Sequence, residues 1–329
     1  MNVSIEISTF NNKEILRKAL ERLTAQTYPA ERMEVVISDD GSSDGLTDMV
    51  ETMQSALPYK LKILRHAHKG PANAHNCGID AANSEIVIML ASDILATPAL
   101  IEEHVRSHEE HPDENVMISG RLIQSPELPD NTFQRSWNKH VNSLFAEEKD
   151  DLRHGRFFVS NLSFKKSFMQ RHGLFLDWPP AAQEDLELGY RLRQHGMVLL
   201  HNSRAAGYHH HPVTLQIIAR RAYTQGYNWH LFEEHVPETW VRVRSGHVSV
   251  TDGWILYLRT QIKHAVRKIV INGLTVPVLY IPLIKAAENW RLIEPAVPFL
   301  ASKVSVYYFY KGRRDYESTR TWDPAKINI

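Results

Sequence analysis

The first 120 residues alternate between two hydrophobic periods, and this alternation constrains the fold more than any other feature of the chain. VSIEIS (3–8), EVVISD (34–39), LKILR (61–65), EIVIML (85–90) and VMISG (116–120) are short and apolar, as expected of strands covered on both faces. Helical spacing intervenes. KEILRKALERLTAQT (13–27) places Ile15, Leu16, Ala19, Leu20 and Leu23 on one side, and further helices are expected near 45–56, over 71–82 and from about Pro98. Strands joined through helices predict an α/β fold with a mostly parallel sheet flanked by helices. Ligands of such sheets collect at the carboxyl ends of the strands. Asp39, Asp40 and Asp93 all fall there.

Beyond residue 120 the regularity breaks. A helix is expected around 132–149, then a short apolar strand in FFVSNLSF (157–164) with Asn161 behind it, and a loop, DWPPAAQ (177–183), leading into a helix, EDLELGYRLRQHG (184–196). In that helix Leu188, Leu192 and His195 are expected to face inward. HVPETW interrupts the pattern near 235, which suggests a domain of 1–235, with halves 1–120 and 121–235, and a C-terminal extension of 236–329. The extension is helical, aromatic and basic in character. Its apolar stretch IVINGLTVPVLYIPLI (269–284) is short for a bilayer span and suits a buried hairpin or a membrane-surface element better.

The 38 basic and 38 acidic residues balance, so no nucleic-acid partner is expected. One cysteine, Cys77, excludes an internal disulfide framework and a cysteine-based zinc cluster. The N-terminus carries no secretory pattern, giving a cytoplasmic expectation. The extension adds docking on the cytoplasmic membrane face or self-association into a homo-oligomer.

Chemistry concentrates in a few places. SDDGSSDG (38–45) sets two carboxylates after a strand; Ser, Asp and Gly also favour plain turns. No GxGxxG follows the first strand, which argues against a dinucleotide loop. GPANAHNCGIDAA (70–82) opens a helix whose backbone N–H groups would suit a diphosphate, with His75 near it. Glu184 and Asp185 occupy a first helical turn, where negative charge is favourable in itself, yet the loop before them carries Trp178, read as exposed and suited to a substrate. In YHHHP (208–212) an extended backbone puts His209 and His211 on one side and His210 on the other. Imidazole with carboxylate and phosphate oxygens suits Mn²⁺ or Mg²⁺.

Taken together, these segments resemble glycosyltransferase family 2, the inverting enzymes of the GT-A fold, over roughly residues 1–226. IEISTFNNKEILRKALERLTAQTYP is similar to its opening strand and helix, VVISDDGSSDG to its acidic nucleotide loop, and GPANAHNCGIDAANSEIVIMLASDI to its helix and metal-binding strand end. FVSNLSFKK and QEDLELGYRLRQHG are similar to its acceptor-side segment and catalytic-base motif.

The resemblance implies an inverting transfer of a sugar from a nucleoside-diphosphate sugar, most commonly UDP-linked, to an acceptor hydroxyl. Thr9 and Asn11 would line the nucleotide pocket, Asp40 would read the base with Asp39 in support, and His75 would lie by the diphosphate. Asp93 would bind Mn²⁺ or Mg²⁺ together with His209 or His211. Asp185 would be the general base with Glu184 beside it, and Asn161 and Trp178 would contact the acceptor: a glycan, a lipid-linked glycan, a peptide or a small metabolite. Two departures stand out: Ala91 and Ser92 replace the first carboxylate of the metal motif, and His75 stands where an arginine is common. The rival readings are a nucleotidyl-transferring enzyme and a non-catalytic nucleotide-sugar-binding protein.

Overall fold

A strand with apolar side chains on both faces is stable only between two covering layers, and the first strands take that position. The computed structural model describes residues 1–135, 157, 159–178, 183–289, 291–320 and 327. They divide into two compact units, Met1–Pro129 with Asn138–Pro212, and Asp130–Trp137 with Val213–Ile329. Residue 235 is the last residue of a helix, Leu215–His235, inside the second unit.

In the first unit the strands are β1 (Val3–Thr9), β2 (Met33–Asp39), β3 (Lys60–Arg65), β4 (Ile86–Leu90), β5 (Ile94–Ala96), β6 (Val116–Gln124), β7 (Asn161–Lys165) and β8 (Val198–His209). They form one mixed sheet in the order β3-β2-β1-β4-β7-β6-β8-β5. The β3-β2-β1-β4 half is wholly parallel, because each connection is a helix: α1 (Lys13–Leu23), α2 (Leu46–Gln54) and α3 (Pro71–Ala81). Leu16, Ala19, Leu20 and Leu23 of α1 are buried as their spacing predicts. The sheet continues through β7, antiparallel to β4 and β6, while β6 and β8 run parallel. The result is a GT-A-like, mostly parallel sheet with flanking helices.

One element differs from the expectation. Asn161 begins a strand instead of following one, since its register partner is Leu90 at the end of β4. β8 is one strand of 12 residues, and its register with β6 jumps between Gly120 and Arg121. The Asn161 side chain fills that irregularity, with Nδ2 donating to the carbonyls of Ala205 (2.9 Å) and Arg121 (3.4 Å). A Cβ on Gly120 would overlap this amide, so the glycine is needed for close approach.

Beneath the same strand lies a buried histidine pair from α4 (Leu100–Glu110). His104 bonds Ser163 Oγ through Nδ1 and Asn161 Oδ1 through Nε2, both at 2.8 Å, and His108 Nε2 lies 2.9 Å from Ser163 Oγ. Burial pushes the His104 pKa down to about 4 and that of His108 to about 3, helped at His108 by the charge of Lys165. Both rings are neutral in the native state yet accept protons when unfolded, so the unfolded state binds more protons below pH 6.5 and stability is lost as the pH is lowered. One pKa unit corresponds to about 1.4 kcal/mol, so His104 alone withdraws on the order of 3 kcal/mol by pH 4. Urea unfolding followed from neutrality to pH 4 should show this loss, and His104→Gln should flatten the slope. An unchanged slope in the variant would rule the histidine out as its source.

In the second unit α7 (Leu215–His235) packs on α11 (Val297–Thr319). Glycines permit the contact: a Cβ on Gly226 would overlap the Phe309 carbonyl, and one on Gly312 the Tyr223 carbonyl. Between them in sequence come α8 (Thr239–Ser245), α9 (Trp254–Val270), a π-helical turn (Val276–Tyr280) and α10 (Ile281–Asn289). The 269–284 stretch is therefore the end of α9, a turn at 271–274 and a return into helix. Val276, Tyr280, Ile281 and Ile284 join a core with Ala219, Tyr223, Leu300 and Val304. Of the helix expected around 132–149, residues 132–135 are helical, and the remainder lies outside the described residues.

Candidate functional site

Because β1, β2 and β4 are parallel, Thr9, Asp39 and Leu90 end on the same sheet edge. Asp40 N donates to Thr9 O at 3.0 Å, which closes the edge between β1 and β2. Asp39 is fully buried and shapes the turn: Oδ1 accepts from Ser42 N (2.9 Å) and Oδ2 from Thr47 Oγ1 (3.1 Å). Gly41 makes the turn possible, with φ of +80° and His66 and His68 pressed against it. Asp40 accepts from the backbone N–H groups of Lys69 (2.8 Å) and Gly70 (2.9 Å), and His68 Nδ1 lies 2.8 Å from its Oδ2. Asn11 adopts φ of +47°, and its Oδ1 accepts from Ser43 N at 2.9 Å, tying the β1 loop to the acidic turn. Thr9 Oγ1 is buried without a hydrogen-bond partner among the described residues.

Residues that the sequence did not single out complete this corner. Phe10 and His68 are exposed and stack with ring centroids 4.2 Å apart, a flat platform beside Asp40. HAHKG (66–70) follows a strand, but nothing in its spacing distinguishes it from an ordinary loop.

Directly after β4 the chain turns at Ala91–Ile94, where Ile94 N donates to Ala91 O. It then forms β5, antiparallel to the end of β8, with Ile94 opposite His209. That pairing carries Asp93 to the histidines: Oδ2 lies 3.4 Å from His209 Nε2 and 3.3 Å from His211 Nδ1. The two rings stack at 5.3 Å, while His210 turns the other way toward Ser125 Oγ, as expected of extended backbone. Burial acts to raise the Asp93 pKa, but hydrogen bonds and charge from His209 and His211 outweigh it and hold the carboxyl well below the usual range.

One ligand atom from each of Asp93, His209 and His211 falls within 4.8 Å of the others. Adjacent ligands of an octahedral cation with bonds of about 2.1 Å are about 3 Å apart, so the carboxylate–imidazole distances need little adjustment. One carboxylate and two imidazoles suit Mn²⁺ better than Mg²⁺, which favours oxygen. The donor set fits a divalent ion with positions left for phosphate oxygens. Ser92 is not a ligand here; its Oγ accepts from Asn12 Nδ2 at 2.9 Å.

Asp185 lies in the first turn of α6 (Glu184–Gln194), the helix that follows α5 (Lys166–His172). Its Oδ1 accepts from Leu186 N at 2.8 Å, and both it and Glu184 are partly accessible. Gln183 enters the helix with φ of +65°, a strained value for a side-chain-bearing residue. The helix is firmly seated: Leu188 and Leu192 are buried, and Arg191 pairs with Glu187 (2.9 Å) while donating to the carbonyls of His172, Gly173 and Leu174. His195 is exposed and stacks on His172 instead of facing inward, since α6 has ended at Gln194.

Three expected ligand contacts are replaced by interior ones. His75 points at β1, with Nδ1 2.8 Å from Glu6 Oε2 and Nε2 3.1 Å from Ser8 Oγ, so both ring nitrogens are engaged away from a diphosphate. Burial acts to lower its pKa, but the Glu6 charge and hydrogen bond, with smaller contributions from Glu184 and Asp185, raise it. Gly78, one turn on, leaves room for Glu6: a Cβ there would be 2.6 Å from Glu6 Cγ. Asn161 is 2% exposed and fully used in the β6–β8 irregularity, so it offers nothing to an acceptor. Trp178 is 2% exposed, because the large ring is taken into the core; residues 179–182 of its loop lie outside the described residues. Asn76, meanwhile, forms a reciprocal amide bridge with the Phe175 backbone (2.8 and 3.0 Å), joining α3 to the segment before α6.

The profile of Glycosyl transferase family 2 matches residues 4–171, and that of Glycosyl transferase family group 2 matches residues 119–308. The chain is 26% identical over 243 residues to the uncharacterized glycosyltransferase YfnE of Bacillus subtilis (strain 168), an alignment covering 60% of this chain and 62% of that one. It is 27% identical over 219 residues to validoxylamine A glucosyltransferase of Streptomyces hygroscopicus subsp. jinggangensis (strain 5008), covering 59% and 52%. It thus spans less than two thirds of the length of either. Among solved structures, mannosyltransferase PcManGT from Pyrobaculum calidifontis, in complex with GDP-Man and Mn²⁺, superposes with a TM-score of 0.58 at 16% identity, covering 94% of this chain and 87% of that one. S. aureus TarS superposes with a TM-score of 0.51 at 16% identity, covering 96% and 55%. With a family profile matched from β1 through α5, this chain belongs to glycosyl transferase family 2.

Proposed function

We propose that this chain moves a sugar from a nucleoside-diphosphate sugar to an acceptor hydroxyl, with inversion at the anomeric carbon. The observation that carries the reading is the Asp93–His209–His211 cluster on the sheet that also presents the Asp39–Asp40 turn. A nucleotide fits this edge through the exposed Phe10–His68 stack, which offers a face for the base; Asp40, itself 3% exposed, holds His68 and the Lys69–Gly70 backbone in place beside it. Uridine is the preferred base. The likeness to a mannosyltransferase in complex with GDP-Man and Mn²⁺ and to S. aureus TarS 1-349 in complex with UDP supports a nucleotide donor and a divalent ion.

In this mechanism Asp185 accepts the proton of the acceptor hydroxyl as that oxygen attacks the anomeric carbon. The bond to the diphosphate oxygen breaks on the opposite face, and the product anomer is inverted. No covalent sugar–enzyme intermediate is required. Asp93, His209 and His211 would hold a divalent ion, which when bound neutralises charge on the diphosphate. Glu187 and Arg191 keep the base in place by fixing α6.

A panel of nucleotide sugars with Mn²⁺ tests this reading without a known acceptor, because slow donor hydrolysis releases nucleoside diphosphate. Its release, with the opposite anomer in the sugar product by NMR, is the expected result. Sugar 1-phosphate as product would favour nucleotidyl transfer, and binding without turnover a non-catalytic protein.

A further inference from the structure

Helix α9 is oriented contrary to the usual rule that a surface helix buries its apolar side. Its inward side, apart from the half-buried Leu256 and Tyr257, is polar. Thr260 is buried, His264 packs against Gly246, and Arg267 bonds Tyr310 Oη. Its outward side is apolar, with Trp254, Leu258, Ile262, Val266 and Ile269 exposed at helical spacing, Ile269 to 74%. The exposed apolar character continues past the helix through Leu274, at 70%, and Val278, at 66%. Monomeric proteins in water rarely leave so long an apolar stripe uncovered.

The charge on this segment points to what covers it. Residues 253–287 contain Arg259, Lys263, Arg267, Lys268 and Lys285 and no aspartate or glutamate. Arg259, Lys263 and Lys268 are exposed on the same helix as the apolar stripe. A second copy seated across a two-fold axis would set this uncompensated positive charge against itself. An anionic bilayer complements both halves of the pattern, taking apolar side chains into the acyl boundary and basic ones among its phosphates. Among the described residues no helix is long and apolar enough to cross a membrane, so the element would lie in the interface plane.

We propose that α9 and the segment through Val278 form a docking surface for an anionic lipid bilayer. The surface shares no residue with the candidate metal and nucleotide site and does not depend on the proposed chemistry. It is tested by sedimenting the purified full chain with phosphatidylcholine vesicles containing about a third phosphatidylglycerol, and with pure phosphatidylcholine, at low salt. Partition into the anionic vesicles should exceed that into neutral ones by about tenfold or more and fall with added salt. The pairs Ile262→Asp with Val266→Asp, and Arg259→Glu with Lys263→Glu, should each reduce it about tenfold with unchanged circular dichroism and thermal melting. All four side chains are exposed, so folding is retained. No binding to anionic vesicles, equal binding to neutral ones, or a dimer in light scattering that the Ile262→Asp, Val266→Asp pair dissolves would each overturn the proposal.

Discussion

Asp185→Asn is expected to lower turnover by about 10³-fold, within the range of about 10² to 10⁴ associated with a positioned general base, while donor affinity changes by less than about twofold. The substitution is nearly isosteric, and an asparagine oxygen still accepts from Leu186 N, so the first turn of α6 keeps its cap. Losing a negative charge there costs about 0.3–1 kcal/mol of helix stability, far too little to mimic a thousandfold loss. The anchors of α6, Leu188, Leu192 and the Glu187–Arg191 pair, are untouched. Titration calorimetry with a nucleotide sugar should therefore match the wild type while product release nearly stops. Glu184→Gln is the control, with an expected loss of about tenfold or less, because it lacks the proton-accepting role. Unchanged turnover in Asp185→Asn, or a parallel loss in both variants, would remove Asp185 as the base.

Asp93→Asn should reduce Mn²⁺-supported turnover and Mn²⁺ affinity by about 100-fold or more, since even outer-sphere changes at metal sites cost about 10- to 100-fold. Asparagine keeps the shape but removes the single carboxylate of the cluster, leaving two imidazoles. The site should also depend on donor for tight metal binding: three protein ligands leave open positions that diphosphate oxygens can fill. Manganese titration by electron paramagnetic resonance, with and without nucleoside diphosphate, reads both effects independently of turnover. Chelation should stop transfer, and Mn²⁺ should restore it more effectively than Mg²⁺. Wild-type activity that survives chelation, or an Asp93→Asn protein with undiminished Mn²⁺ affinity, would dissociate this cluster from the reaction.

Much of the sheet was legible in the chain because its information is local. The alternation of strand and helix periods located β1 through β4 and the helices between them, and hence the edge where Asp39 and Asp40 stand. The i, i+2 relation of His209 and His211 followed from extended backbone geometry alone. Burial was harder to read. Trp178 is expected to be exposed in its loop, and Asn161 to face a ligand, yet the first fills core and the second repairs the β6–β8 irregularity. An isolated tryptophan or asparagine has no periodicity to reveal which side of the backbone it occupies, and the partner that decides it is distant in sequence. His75 has the same origin: its ring is claimed by Glu6, 69 residues away, through the α3–β1 packing.

Local propensity and hydrophobic period, properties of a few neighbouring residues, thus determined from the sequence alone an α/β chain with acidic strand ends and a paired-histidine segment. Only the tertiary structure decided that Asp93 meets His209 and His211, because that depends on the three-residue strand β5 pairing with the end of β8. It also decided that Phe10 stacks on His68, and that α9 turns its apolar side to solvent. Register and packing are long-range choices, fixed when separated segments compete for the same core, and no short window of sequence contains both competitors.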